Sequence, residues 1–142
     1  MANTSGRAPS PSSASSASSA SSASSPWAVD LIALVGAGLK WTPLHDGIDI
    51  CRLFGDGIEG PSAAFVRYRA NARLPRHEHG GYEYVFVLSG SQEDESGVYP
   101  AGTIYVSRPG SKHSVLAKDG CVAFVLWERP VTFLKSAEPP PA

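Results

Sequence analysis

Apolar residues in this chain fall in short runs between glycines and prolines rather than in long helical stripes. Residues 49–54, 62–70, 83–88, 103–107, 114–117 and 121–128 are rich in Val, Ile, Phe and Tyr. Short β-rich segments separated by turn formers predict an all-β sandwich or barrel. On residues 83–88 the side chains alternate between two faces. Glu83, Val85 and Val87 share one, and Tyr84, Phe86 and Leu88 share the other. Both faces are largely apolar, so this strand is expected to be covered on both sides, by a second sheet or by a subunit interface. The same holds for residues 122–127. Only residues 28–39 have the makings of a short helix, which Gly36 and Gly38 weaken.

Composition divides the chain. Of the first 26 residues, 12 are Ser, 6 Ala and 3 Pro, and residues 12–23 are four Ser-Ser-Ala units. Such a tract buries too little apolar surface to offset its chain entropy, so residues 1–26 are expected to be disordered. The Pro-rich residues 136–142 are expected to be a second disordered tail. Residues 27–135 remain, enough for one domain.

Twelve Lys+Arg against thirteen Asp+Glu give a formal charge of −1. That balance argues against nucleic acid or an anionic membrane as partner, since both need a basic face. No window approaches the ~20 apolar residues of a membrane span. The run 27–39 is short and interrupted by Asp30, and Arg7 is the one basic residue of the Ser/Ala tract, fewer than transit peptides carry. Cys51 and Cys121 form neither a disulfide framework nor a Cys-x-x-Cys site. Both sit beside apolar strands, which predicts buried free thiols in a reducing compartment, hence a cytoplasmic protein.

Three of the four histidines fall in one pattern: His77-Glu78-His79, then Glu83, then His113. An i, i+2 pair on a strand projects both imidazoles from one face. Glu83 has the same parity and can return to that face after a turn at Gly80-Gly81. Three imidazoles and a carboxylate suit one divalent transition metal such as Fe, Mn, Ni, Cu or Zn. The competing reading is a pair of surface histidines in a loop with Glu83 as a strand-end charge. Four protein ligands on an octahedral ion would leave two positions for water, substrate or dioxygen.

The stretch from Asn71 through His77-Glu78-His79-Gly80-Gly81-Tyr82-Glu83 to Gly90 resembles the first cupin motif, with Asn71 replacing its opening glycine. Asn best tolerates a left-handed turn among non-glycine residues. The stretch from Gly102 through Pro109-Gly110-Ser111-Lys112-His113 resembles the second, with the proline displaced by one position and Ala117 replacing an Asn. Trp41-Thr42-Pro43-Leu44-His45-Asp46-Gly47-Ile48, the stretch from Asp94 to Gly102, and Asp119-Gly120-Cys121 are similar to the ChrR-type cupin domain. That similarity covers the cupin module and not the zinc-binding anti-sigma domain that precedes it in ChrR, so anti-sigma activity is not implied. The resemblance implies a cupin jelly-roll β-barrel. Its first motif would supply two adjacent strands, with His77, His79, Glu83 and His113 as metal ligands inside the barrel near one mouth.

Other residues read more plainly. His45 lies in a turn signal, Leu44-His45-Asp46-Gly47. Arg67 is expected on a solvated face rather than in the barrel. Glu78 points away from the histidine pair, and Tyr105 and Trp127 either line the pocket mouth or pack in the core. The run Gln92-Glu93-Asp94-Glu95 reads as an acidic hairpin that blunts an exposed edge.

Three functions fit. The first is a small-molecule metalloenzyme, such as a non-heme dioxygenase acting on a diketone- or hydroxyketone-like substrate. The metal would be Lewis acid and oxygen activator, and Glu83 the catalytic residue, a labile ligand able to shuttle a proton. The second is a metal-binding sensor of oxidative stress, with Cys121 as a redox partner. The third is a structural metal-binding domain. The doubly apolar strands predict a homodimer.

Overall fold

The computed structural model describes residues 38–135. The Ser/Ala-rich tract, most of the helical stretch expected over 28–39 and the Pro-rich tail fall outside them. The described residues form ten β-strands and no helix. They are β1 Thr42–His45, β2 Ile48–Phe54, β3 Ser62–Tyr68, β4 Ala72–His79, β5 Glu83–Asp94, β6 Gly97–Pro100, β7 Ile104–Ser107, β8 Lys112–Ala117, β9 Cys121–Trp127 and β10 Val131–Phe133.

All pairings are antiparallel. One sheet runs β1-β2-β3-β9-β5-β7 and the other β6-β5-β8-β4-β10. The 12-residue strand β5 belongs to both. Its first part pairs with β9 and β7, and its last four residues pair with β6. It crosses at Gly90, which adopts a left-handed φ of 67°. A Cβ there would run into the Gly120 carbonyl oxygen.

Alternation explains the core. Cys121, Ala123 and Val125 of β9 face Val85 and Val87 of β5 and Ala64 and Val66 of β3, and all are buried. Each buried Val or Ile contributes about 1.5–3 kcal/mol. The opposite face of the first sheet is also apolar, as expected. Phe124 lies between Phe65 at 5.4 Å and Phe86 at 5.8 Å. Its cover is incomplete, however, for Leu88, Ile104 and Val106 on that face stand 52%, 62% and 48% exposed.

Four strands were not among the apolar segments. β1, β6 and β10 are only three or four residues long, and β4 carries Arg73, Pro75, Arg76 and Glu78, so neither composition nor period marks it. Asn71, immediately before β4, takes the left-handed conformation expected of it, with φ 64°. One expectation fails. β4 and β5 follow each other in sequence but do not pair, because β4 lies between β8 and β10. Arg67 lies outside the barrel, bound to Asp49 at 2.7 Å and stacked 4.4 Å over the Trp41 ring.

Gly90→Ala should be among the costliest single-methyl additions, because a left-handed φ and a backbone clash coincide there. A loss of about 2 kcal/mol or more is expected in the denaturant midpoint; an unchanged midpoint would refute the close approach.

Candidate metal centre

The inward direction of the histidines is made by a β-bulge. Leu74 pairs with Val115 and His77 with His113, so β4 advances three residues while β8 advances two. Pro75 lies in that irregularity, where a missing N–H is tolerated. The bulge switches the inward positions from Ala72 and Leu74 to His77 and His79. Both imidazoles are about 1–2% exposed. His113 enters from β8 opposite His77, and Glu83 opens β5; both are buried.

The three imidazoles offer nitrogen atoms within 4.8 Å of one another. Ring centroids are 5.0 Å apart for His77–His79, 4.7 Å for His77–His113 and 4.8 Å for His79–His113. Each Nδ1 faces an acceptor, namely Pro75 O at 2.8 Å, Ser111 O at 2.9 Å and Asp94 Oδ2 at 2.8 Å. An Nδ1–H donated outward leaves Nε2 with its lone pair inward. Nε2 of His79 and of His113 is buried without a hydrogen-bond partner. Orphaned acceptors facing one another from two strands, β4 and β8, fit a cation, and the three histidines are positioned to bind a metal.

Glu83 Oε2 lies 3.6 Å from His79 Nε2, too long for a hydrogen bond. Burial opposes a charge on His79, but the Glu83 carboxylate beside it outweighs burial and raises its pKa. Burial lowers the pKa of His77, against the Pro75 carbonyl. The centre thus favours neutral His77, the form that ligates.

A cavity of about 190 Å³ ends on this group. His77 and Glu83 form part of its wall, with apolar side chains including Leu74, Val85, Val125, Trp127 and Phe133. Arg52, Ser62, Tyr68, Gln92 and Tyr105 add polar groups to the wall, and the Tyr105 hydroxyl donates to Gln92 Oε1 at 2.6 Å. Burial, with Glu83 adding, pushes the phenols of Tyr68 and Tyr105 up, so they stay protonated. Tyr105 and Trp127 therefore both pack against the core and line the pocket.

His45 ends β1 and packs edge-on against Phe133 at 4.7 Å, outside the histidine cluster. Glu78 pairs with Lys112 at 3.3 Å on the surface. Cys51 and Cys121 are buried free thiols, and burial pushes the Cys121 thiol up to about 11.

The acidic run does more than blunt an edge. Gln92 lines the cavity, Asp94 holds His113, and Glu95 accepts from the Ser114 hydroxyl and Arg76, each at 2.9 Å. Burial works against the Asp94 charge, but hydrogen bonds from His113, the Ser96 N–H and Tyr99 prevail and hold its carboxyl below the usual range. The signal available for Asp94 was the similarity of the stretch it opens. Phe133, 5.6 Å from the His77 ring, gave none.

The ChrR cupin-like domain model matches residues 32–129. No curated protein matches the chain. Among solved structures, an RmlC-like cupin from Ralstonia eutropha is 18% identical with a TM-score of 0.62, over 70% of this chain and 69% of that one. A chain of the Rhodobacter sphaeroides complex of SigE with the anti-sigma ChrR is 24% identical with a TM-score of 0.60. That match covers 68% of this chain and 54% of the other, so this chain spans about half of it. An acetylacetone dioxygenase from Acinetobacter johnsonii is 17% identical with a TM-score of 0.61, over 67% and 72%. Identities this low show a shared fold alone. The family model covers more than half of the chain, with all three clustered histidines inside it, and the protein belongs to the ChrR cupin-like domain family.

Proposed function

We propose that this protein is a small-molecule metalloenzyme, a non-heme dioxygenase acting on a diketone- or hydroxyketone-like substrate. In this reading His77, His79, His113 and Glu83 hold one divalent metal. The observation that carries the reading is the apolar cavity ending on His77 and Glu83. At about 190 Å³ it is smaller than the ~300–1,000 Å³ of pockets for drug-sized ligands, so the substrate is small. A bound metal would supply Lewis acidity and oxygen activation. The chain's own residues do the rest. The aliphatic and aromatic walls exclude water and take up the substrate's carbon body. Glu83, buried at the cavity wall, can accept and return a proton at a carboxylate oxygen.

Family membership favours a second reading, a metal-centred sensor or regulatory module. The Cys121 thiol, buried and pushed up to about 11, is a poor oxidant target, so sensing would rest on the metal. A purely structural metal is the third.

Metal analysis after expression in iron-supplemented medium separates these. Stoichiometric iron with oxygen uptake on adding pentane-2,4-dione is expected; tightly held zinc without uptake would favour the sensor or structural role. His79→Ala should bring bound metal well below one per chain, and unchanged metal would end the ligand assignment.

We also propose that the protein is a cytoplasmic homodimer. Tyr84, Phe86, Leu88, Ile104 and Val106 form one apolar patch on adjacent strands, with Ile104 opposite Phe86 and Val106 opposite Tyr84. Among the described residues no helix is long and apolar enough to cross a membrane. Ile104→Lys should shift sedimentation from dimer to monomer and leave metal content unchanged; a monomeric parent protein would refute the interface.

A further inference from the structure

We infer that Asp94 is the positioning residue of the centre: it fixes His113 in the tautomer whose Nε2 lone pair faces the other imidazoles, and thereby sets the affinity for a divalent cation. The affinity half of this inference rests on the metal-binding reading above; the tautomer half does not.

The three histidines differ in what holds Nδ1. His77 uses a backbone carbonyl, and His79 uses the Ser111 carbonyl and its hydroxyl oxygen at 3.0 Å. The Ser111 hydroxyl gives its own proton to Arg108 O at 2.6 Å, so it too accepts from His79. His113 alone depends entirely on a side chain, and an anionic one, in a pair whose side chains are only 9% and 8% exposed. A charge-assisted hydrogen bond with little competing water is stronger than a neutral one.

The carboxylate cannot turn freely. Its Oδ1 accepts from the Ser96 N–H at 2.7 Å, the Gly97 N–H at 3.2 Å and the Tyr99 hydroxyl at 3.0 Å. Those three donors close the turn between β5 and β6 and leave Oδ2 for His113. The Tyr99 ring is itself stacked on Tyr105 at 4.3 Å, which anchors the turn to the cavity wall.

The distribution of donors predicts what an amide would do. In Asp94→Asn the same three donors would retain the side-chain oxygen at the Oδ1 position. The NH2 group would then face His113 Nδ1. Two donors cannot pair, so the imidazole proton would move to Nε2, the atom needed for the cation. Asp94→Ala would merely release the ring. The amide variant should therefore bind a cation more weakly than the alanine variant, an order that loss of packing alone would not produce.

The test uses the full chain stripped by chelator, with ¹⁵N-labelled histidine, at a pH where the imidazoles are neutral. Nitrogen NMR should show His113 protonated at Nδ1 in the parent and at Nε2 in Asp94→Asn. Zinc titrated against a competing chelator should bind roughly 10–100-fold more weakly to the variants, the asparagine form weakest. His113 protonated at Nε2 in the parent would overturn the inference, and this measurement needs no variant to fold. Unchanged tautomer and zinc affinity in the variants, with only a lower melting temperature, would overturn it as well. A parent with the expected tautomer that takes up no zinc would sink the metal centre while upholding the positioning role.

Discussion

Three imidazoles buried with their inner nitrogens facing one another are the constraint around which this barrel is organised. Leaving a buried acceptor unpaired costs about 1–3 kcal/mol. Nε2 of His79 and of His113 is left so, while every outer nitrogen is bonded. That polarity positions the three histidines to bind a metal. The surrounding strands supply the outer acceptors: the Pro75 carbonyl from the β4 bulge, the Ser111 carbonyl before β8, and the Asp94 carboxylate from the end of β5.

Two bulges make the arrangement possible. The one at Pro75 turns His77 and His79 inward on a strand that would otherwise present Arg76 and Glu78. The other lies between Val87 and Ser89, where two residues of β5 advance against one of β9. Before it the odd positions Glu83, Val85 and Val87 face in; beyond it Gln92 is buried and Asp94 reaches His113. A bulge adds one residue and exchanges the faces of everything downstream. One strand can therefore deliver Glu83 at one end and Asp94 at the other to the same centre.

The chemistry follows from what stands beside the nitrogens. A mainly apolar cavity reaches His77 and Glu83, and two of its polar side chains, Tyr105 and Gln92, are bonded to each other. Such a chamber selects first by size. It is this room next to the donors, more than the donors themselves, that distinguishes a catalytic reading from a structural one.

Much of this was readable before any coordinates. Period-two alternation identified the strongly apolar strands, because burial on one face leaves a direct imprint on residue type. The spacing of His77, His79, Glu83 and His113, with Asn71 poised for its left-handed turn, carried the family and the outline of the centre. The short strands β1, β6 and β10 and the polar β4 left no such imprint, since pairing there is imposed by neighbours. Alternation also cannot single out Asp94 within the acidic run, because it assumes an unbroken pleat. Which residue faces inward after a bulge depends on hydrogen bonds to another strand, and that partner lies some thirty residues further along the chain. Side-chain identity is local and was settled by sequence; the register that brings Asp94 onto His113 is a property of the closed barrel alone.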